Sequence, residues 1–585
     1  LLFPLWMGIS RRSFLKTGFI GGLLGVIGTR TALAEPQVKV VPLKIKYTPL
    51  ANPISDLRER YDVVVIGSGY GGSVSAARLA GRCRVAILER GPERPPGSFS
   101  ENFEDVRNDI RCKKNPFGLF EVHANHEMDV LNGNGLGGTS LINAGALVRP
   151  DRETVRSPEW PQALVEEVHS GQFEKYYSRV KSMLQGQAYD PRRMNSAKVR
   201  AHEYASHELG VDLKFPPVAV NLYGQQAQQS GVTQPKCIEC GNCCSGCNTG
   251  AKNTLNMNYL PLAKNQGAEV FTQIEVLWIE KLTAGYRIHC LYVSESGEKS
   301  RKSVLANQVI VSAGTMGSTK LLLNSQARGL SLSEKLGRRF SGNGDVLGLS
   351  FNTAFRTNAI GFSSASRIRV DMKPGAVIYS IADYRNKKNL FDRFIIEEGT
   401  FPGAFTIPLR LAMGVAKFRI SAARYLRVGR DITLSKDIEK GALNYSMVYL
   451  GMGHDRADGK LQLDRKGRIR VRWPEVKYDP IYPTIDRAMK AQSRALGGNF
   501  VMNPRTLIIN GKNLVTVHPL GGCVMADSVN NGVVNHLGQV YQADGSLHAG
   551  LYVLDGSIVP TALGVNPLLT ISALSERAIE RMQIT

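Results

Sequence analysis

The chain has 585 residues, 43% of them hydrophobic and 21% charged, with 73 Lys and Arg against 50 Asp and Glu. That apolar content supports a large buried core and excludes a disordered or low-complexity chain, and nine cysteines over this length exclude a small disulfide-framework protein. The formal net charge of +23 suits an anionic surface; no nucleic-acid-binding motif accompanies it, so nucleic acid is set aside and anionic phospholipid is the better partner.

The first segment reads as a targeting signal rather than as part of the fold. Ser10-Arg11-Arg12-Ser13-Phe14-Leu15-Lys16 is a twin-arginine pattern, followed by an apolar, glycine-rich stretch from Thr17 to Thr29 that is too short to span a membrane. Ala32-Leu33-Ala34 supplies a small-x-small cleavage site, so residues 1–34 are expected to be removed and Met7 to be the true start. The twin-arginine route carries folded protein, which places this protein in the periplasm or outside the cell with any cofactor already inserted. Residues 35–60, with several Pro and Lys, read as an extended arm.

Tyr61-Asp62-Val63-Val64-Val65-Ile66 is a β-branched run that predicts a buried strand. It leads into Gly67-Ser68-Gly69-Tyr70-Gly71-Gly72, then a helical stretch from Ser73 to Ala80, then a second strand, Val85-Ala86-Ile87-Leu88, ending at Glu89. This is the complete βαβ setting of a dinucleotide site. Gly67 permits the tight turn, Gly69 lets the backbone approach the pyrophosphate, and Gly72 lets helix and strand pack. Unpaired N–H groups at the helix start face the phosphates, and Glu89 stands where a carboxylate accepts hydrogen bonds from a ribose diol. A second glycine turn, Gly133 to Asn143, has the freedom to wrap a flat ring.

Cys237-Ile238-Glu239-Cys240-Gly241-Asn242-Cys243-Cys244-Ser245-Gly246-Cys247 holds five of the nine cysteines. Cys237, Cys240, Cys243 and Cys247 have the C-x2-C-x2-C-x3-C spacing of [4Fe–4S] ligation, although Asn248 stands where a proline usually follows. Short-loop disulfides and free thiols remain open alternatives. Cys83, Cys112, Cys290 and Cys523 read as packed thiols.

Further on, Val309 to Ser318 is again strand, glycine and apolar helix. Ile395-Ile396-Glu397-Glu398-Gly399-Thr400-Phe401-Pro402 places two carboxylates in an apolar run. Leu409 to Arg427 is basic and free of acids; Arg410, Lys417, Arg424 and Arg427 share one helical side, as in an interfacial helix or a solvated one packed on the protein. Near the C-terminus come His518-Pro519-Leu520-Gly521-Gly522, the strand Leu551 to Leu554 with Asp555 at its tip, and Gly564-Val565-Asn566-Pro567-Leu568. A His and an Asn framed by rigid Gly and Pro suit taking a proton from an alcohol while hydride leaves its carbon; the plainer reading is a packed histidine and a turn asparagine.

In this order the pieces resemble the glucose–methanol–choline (GMC) family of flavoprotein oxidoreductases, and within it the cholesterol oxidase branch, from about Tyr61 to Met582. The resemblance implies an α/β fold: a Rossmann-like FAD-binding domain built from 61–150, 250–345 and 505–585, with a discontinuous α+β substrate-binding domain from 151–249, which includes the cysteines, and 346–504. It implies tightly held FAD. Gly67, Gly69, Gly72 and Glu89 fall on the adenosine-diphosphate site, and Gly137, Gly138, Ser140 and Asn143 on the loop against the flavin. The backbone of Val276 falls at the adenine, Asp555 near the ribityl chain, and Asn566, Pro567 and Leu568 near the isoalloxazine. His518 and Asn566 fall on the catalytic pair. The resemblance further implies a small-molecule alcohol as substrate, a sterol 3β-hydroxyl first among them, with O2 or another redox acceptor as oxidant. On the strand after Ile395, Glu397 keeps the register of a carboxylate that moves a proton between ring carbons; Glu398 is the alternative, and either is otherwise a surface glutamate. A periplasmic alcohol or sugar dehydrogenase handing electrons to a quinone or cytochrome is the competing activity, with a non-catalytic flavin-binding sensor as the remaining class.

Overall fold

The computed structural model describes residues 38–39, 47–224, 226–363, 367–368, 372–406, 441–502 and 514–584. The leader at 1–34 and the basic segment 409–427 lie outside the described residues.

The β-branched run forms strand β1 (Arg60–Ile66), whose residues from Val63 to Ile66 are fully covered, as a central parallel strand requires. Helix α1 (Tyr70–Leu79) and strand β2 (Val85–Leu88) complete the predicted unit, β1 and β2 pairing in parallel. They belong to an eight-stranded sheet whose long strand β3 (Lys299–Val311) does two jobs. Its first half pairs antiparallel with Tyr286–Val293, and its second half runs parallel to β1. Helix α2 (Gly314–Gln326) follows β3 directly. The parallel core of a Rossmann-like α/β fold is therefore present as expected.

A second sheet has six strands, all antiparallel, in the order Asn499–Met502, Val346–Phe351, Met447–Gly453, β4 (Phe394–Gly399), Ile381–Asp383 and Asp212–Lys214. The helix Ile481–Ala495 packs across it. Every residue of β4 is buried, so neither glutamate there is a surface group, and strand alternation sends Glu397 and Glu398 to opposite faces. Back in the first sheet, strand β5 (Leu547–Val553) lies parallel to β3 on the side away from β1. The carboxyl ends of β1, β3 and β5 thus meet side by side, which is where open α/β sheets bind ligands. Ser312 Oγ ties two of these ends by donating to Leu554 O at 2.7 Å, and its N–H donates to Ile66 O at 2.7 Å.

The last helix, α3 (Leu568–Arg581), begins just after Asn566-Pro567 and packs on α1. Arg78 of α1 and Glu576 of α3 pair at 2.8 Å, and Tyr259 donates to the same carboxylate at 2.9 Å. Helix α1 packs tightly on the turn after β1 at Gly72, where an added Cβ would stand 2.1 Å from Gly67 O and 3.2 Å from Ser312 Cβ. Gly72→Ala should therefore destabilise the protein by about 1–3 kcal/mol through overpacking and weaken cofactor retention. Thermal unfolding and flavin absorbance after gel filtration check this.

Candidate active site

Two glycine turns form the cradle. Gly67 adopts φ +94°, and its missing Cβ leaves room for Ser312 O, which would otherwise lie 2.4 Å away. Gly69 is the N-cap of α1, and a Cβ there would meet nothing within 4 Å, so the first turn opens onto free space at a helix N-terminus. The second turn comes up to it: a Cβ on Gly138 would stand 3.1 Å from Gly69 Cα. Glu89 joins the two. It accepts from Ser68 N at 3.0 Å, Ser68 Oγ at 2.6 Å and Gly91 N at 2.8 Å, while Ser68 Oγ accepts from Gly137 N at 2.9 Å. A carboxylate has about four lone-pair sites, so Glu89 keeps capacity for one further donor while it fixes the cradle's shape.

The other predicted cofactor residues surround this space in different ways. Asn143 donates to Tyr70 Oη at 2.8 Å and leaves its buried Oδ1 without a partner. Ser140 Oγ donates to Gly137 O at 2.7 Å, bracing the turn. Val276 sits at a register shift in the strand Ile274–Lys281, an irregularity that frees backbone from the ladder. Asp555 is buried, with four donors on its two oxygens: Gly314 N at 2.9 Å, Ser318 Oγ at 2.5 Å, Ser557 N at 2.8 Å and Ser557 Oγ at 2.5 Å. Its side chain therefore locks the start of α2 onto the end of β5. Pro567 is the N-cap of α3 and Leu568 its first residue, both behind Asn566.

His518 is held by a residue with no local sequence signal to mark it. Asp345, fully buried, accepts from His518 Nδ1 at 3.0 Å through one oxygen. Its other oxygen accepts from Thr516 Oγ1 at 3.0 Å, Val517 N at 2.8 Å and His518 N at 3.1 Å. With Nδ1–H committed to a carboxylate, Nε2 carries the lone pair, which is the tautomer a base needs. Two residues earlier, Asn343 does the same for the second motif. Its Oδ1 accepts from Leu563 N at 2.8 Å and Gly564 N at 3.1 Å, and its Nδ2 donates to Val565 O at 3.0 Å. Ser341 pairs with Leu520 in both directions at 3.0 Å. The segment 341–345 thus clamps the His518 loop and the Asn566 loop to one another. A glycine-rich turn is readable there in Gly342 and Gly344, but nothing local marks its partners.

Asn566 faces β4. Its Nδ2 lies 3.5 Å from Glu397 Oε2, and both Asn566 Oδ1 and Glu397 Oε1 are buried with no hydrogen-bond partner. Leaving such atoms unsatisfied costs about 1–3 kcal/mol each, so they mark where a ligand's hydroxyl would sit. Burial pushes the Glu397 carboxyl up to about 8; Asn566 pulls it down, Glu398 and Asp345 push it further up, and Lys198 pulls it down. Glu398, on the opposite face, is occupied by Lys198 Nζ at 2.5 Å and by the N–H groups of Tyr379 and Ser380 at 2.8 and 3.0 Å. Of the two glutamates, Glu397 alone meets Asn566, and Glu398 is structural.

None of the nine cysteines forms a disulfide, and among the described residues no three His, Cys, Asp or Glu side chains are placed to hold a metal ion. The four cysteines of the predicted run lie close enough together for each to act on the others: burial pushes the Cys237 thiol well up, and Cys243, Cys240 and Cys247 add to the effect. Cys290 and Cys523 are packed thiols as expected, Cys83 is half-buried, and Cys112 is exposed because the loop carrying it runs over the surface.

Family models described as GMC oxidoreductase match residues 61–341 and 433–575. A cholesterol oxidase of Acinetobacter baumannii is 26% identical over 554 residues, covering 89% of this chain and 94% of its own. A long-chain-alcohol oxidase of Arabidopsis thaliana is 22% identical over 553 residues, covering 90% of this chain and 68% of its own. Among solved structures, the formate oxidase of Aspergillus oryzae superposes with a TM-score of 0.56 at 14% identity, over 89% of this chain and 98% of its own.

Asp345→Asn should keep the clamp's size but offer His518 an amide in place of the carboxylate. We expect the rate of flavin reduction by alcohol to fall by about 10²–10⁴-fold, as when an acid–base group loses its correct tautomer. Its flavin content should stay normal. His518→Ala should lose a similar factor with no pH rescue. Anaerobic stopped-flow absorbance over a pH series checks both.

Proposed function

The chain belongs to the GMC oxidoreductase family, FAD-binding enzymes that act on CH–OH donors, and from that premise we propose that it oxidises the 3β-hydroxyl of a sterol such as cholesterol, with Δ5-to-Δ4 isomerisation as an added step. The observation that carries this reading is the contact between Asn566 and Glu397, a buried carboxyl beside the amide that faces the substrate hydroxyl. A sugar or small alkyl alcohol has no use for a carboxyl with a pKa of about 8 in a dry pocket; moving a proton between two ring carbons does. Support also comes from the cholesterol oxidases, which share 26% identity over nearly nine-tenths of the chain.

The residues divide the work as follows. The open face at Gly69, the turn Gly137–Gly138, Glu89 and the unpartnered Asn143 Oδ1 suit FAD, with the phosphates at the N-terminus of α1. FAD, when bound, supplies the hydride acceptor. His518 Nε2 takes the hydroxyl proton, and Asp345 steadies the imidazolium that results. Asn566 orients the hydroxyl through its free Oδ1. Glu397, once deprotonated, takes the ring proton next to the new ketone and returns it to the conjugated position.

Delivery of so insoluble a substrate fits an exported, membrane-docking protein. The Arg11-Arg12 leader supports periplasmic or secreted localisation, and the net positive charge with Arg410, Lys417, Arg424 and Arg427 supports contact with anionic lipid. The electron acceptor is O2 in the oxidase reading. A dehydrogenase passing electrons to a quinone or cytochrome is favoured by one observation: the cysteine run, with the spacing of a [4Fe–4S] site, packs against the turn that faces the flavin.

Anaerobic cholesterol should bleach the flavin faster than long-chain or aryl alcohols do; bleaching by those alone would replace the sterol assignment. Glu397→Gln should still reduce the flavin but release the Δ5-3-ketone, with isomerisation down about 10²–10⁴-fold, as read by absorbance of the conjugated ketone. Stability gives an independent check. A carboxyl raised from 4.5 to about 8 binds more protons folded than unfolded, so its contribution is full below 4.5 and is lost as pH rises through about 8. The melting temperature of Glu397→Gln relative to the parent should therefore climb across that window.

A further inference from the structure

The segment 341–345, which joins the His518 loop to the Asn566 loop, has a support of its own in the second sheet. The strand Met447–Gly453 runs on into His454-Asp455, and Gly344 is seated on the end of that strand. At φ +62°, Gly344 leaves room for the backbone of Gly453, whose carbonyl oxygen would stand 2.5 Å from an added Cβ. Gly453 N donates to Asn343 O at 3.2 Å. These contacts bring Asp455, which is 3% exposed, up under the segment.

Four donors reach the Asp455 carboxylate. Oδ1 accepts from Ser341 Oγ at 2.7 Å and Ala457 N at 3.0 Å, and Oδ2 accepts from Gly344 N at 2.9 Å and Tyr482 Oη at 3.3 Å. Together they fill the roughly four lone-pair sites of an ionised carboxylate. The bond to Ala457 is a local turn that an Asp commonly makes two residues on. Those to Ser341 and Gly344 are not local, since they span 114 and 111 residues. Ser341 Oγ also accepts from Asn343 N at 2.9 Å, so its one proton goes to Asp455 and the three residues form a directed chain. Each carboxylate oxygen meets a backbone N–H, which only an acceptor can face. A side-chain amide at this place would turn its NH2 against one of those N–H groups whichever way it lay.

Among the described residues Asp455 has no ion-pair partner, so its charge rests on neutral donors alone. Burial pushes its pKa up to about 7; Ser341 and Gly344 pull it down, Asp479 pushes it further up, and Ala457 pulls it down. The ionisable groups around it are Tyr482, Asp479 with Arg456 beyond it, Asp345 on the segment, and His454, which burial keeps neutral by lowering its pKa to about 4. A carboxylate perturbed in this way marks a place where function uses it.

We propose that Asp455 is a positioning residue for the base: through Ser341 and Gly344 it fixes the turn from which Asp345 presents its carboxylate to His518 Nδ1. The proposal rests on the role of His518 described above. Asp345 follows Gly344 directly, so whatever shifts the Gly344 N–H shifts Asp345 with it. The chain of control runs from the second sheet through Asp455, the segment and Asp345 to the imidazole, and Asp455 itself hydrogen-bonds only to the segment, to Ala457 and to Tyr482.

The test uses the full chain with its FAD. Asp455→Asn should keep its flavin, lower the limiting rate of anaerobic flavin reduction by cholesterol about 10-fold or more, and leave the half-saturating cholesterol concentration unchanged. In an Asp345→Asn background the same substitution should cause no further loss, because its effect runs through Asp345. The Nδ1 proton of His518, assigned by its absence in His518→Ala, should resonate far downfield of the amides in the parent and move in Asp455→Asn. Stability should change the other way. A carboxyl raised from 3.8 to about 7 binds more protons folded than unfolded, so its contribution is full below 3.8 and is lost as pH rises through about 7. The melting temperature of Asp455→Asn relative to the parent should therefore climb over that window while its rate stays low. Ser341→Ala, which removes one donor and keeps the carboxylate, should slow reduction by a smaller factor and decides the matter if Asp455→Asn does not fold. A parental rate with FAD bound, a loss confined to the half-saturating concentration, or independent, multiplying losses from Asp455 and Asp345 would each overturn the proposal, as would an unmoved His518 proton. That proton does not depend on the substrate, so a parent that cholesterol fails to bleach would count against the sterol reading and leave the resonance to judge Asp455.

Discussion

The site depends on five residues that belong to neither of the two motifs they join. The loop with His518 and the loop with Asn566 are about fifty residues apart in the chain, and each is short and rich in Gly and Pro. Left alone, neither has a reason to face the other. The segment 341–345 supplies one: Ser341 pairs with Leu520, Asn343 gathers the backbone of 563–565, and Asp345 takes both the backbone and the ring of His518. The segment is itself anchored, since Ser341 Oγ and Gly344 N both donate to Asp455 at 2.7 and 2.9 Å. Asn343 adopts φ +56°, a conformation Asn tolerates better than most side chains, and this turns its amide toward the second loop. One short stretch thereby sets the spacing of His518 and Asn566, the tautomer of the imidazole and the entry into the last helix.

Buried charge divides along the same lines. Glu398 and Lys198 neutralise one another and hold β4 to the helix Ala197–Glu208 and the backbone at Tyr379–Ser380. Because a pair so deeply buried gains little net stability over an apolar one, its value lies in fixing β4 so that the adjacent glutamate points the other way. Among the described residues, Glu397, Lys252, Asp455 and Asp555 are buried ionisable groups with no ion-pair partner. Glu397 stands beside Asn566, and Lys252 donates to Cys243 O in the cysteine run. A natural interior tolerates such groups where function uses them.

Much of this was legible in the sequence wherever chemistry and conformation are local. The β1–α1–β2 unit, its glycines and Glu89 could be placed because strand period, turn and helix follow without a break over 61–89. His518 and Asn566 could be named because Gly and Pro frame them. Register to Pro402 favours Glu397 but leaves Glu398 open; strand alternation, with Lys198 holding Glu398 and Asn566 beside Glu397, separates them in the structure. Asp345 and Asn343 were not legible, since each acts through partners more than 100 residues away in sequence. A carboxylate in a glycine-rich turn looks like solvent-exposed loop until the partner strand is known. Resemblance sets Asp555 near the cofactor; in the structure its Oδ2 accepts from the start of α2 and its Oδ1 from Ser557.

The measurement that bears most directly on this account is the anaerobic rate of flavin reduction by alcohol in Asn343→Ala. Asn343 makes no hydrogen bond to His518 or to the Asn566 side chain, and it reaches the site by holding the backbone of residues 563–565. If segment 341–345 sets the geometry of the catalytic pair, the variant will bind FAD normally yet reduce it about 10-fold or more slowly, since a misplacement of the order of 1 Å costs up to about 10²-fold. Reduction at the parental rate with FAD fully bound would contradict the account, because Asn566 would then hold its position without the clamp.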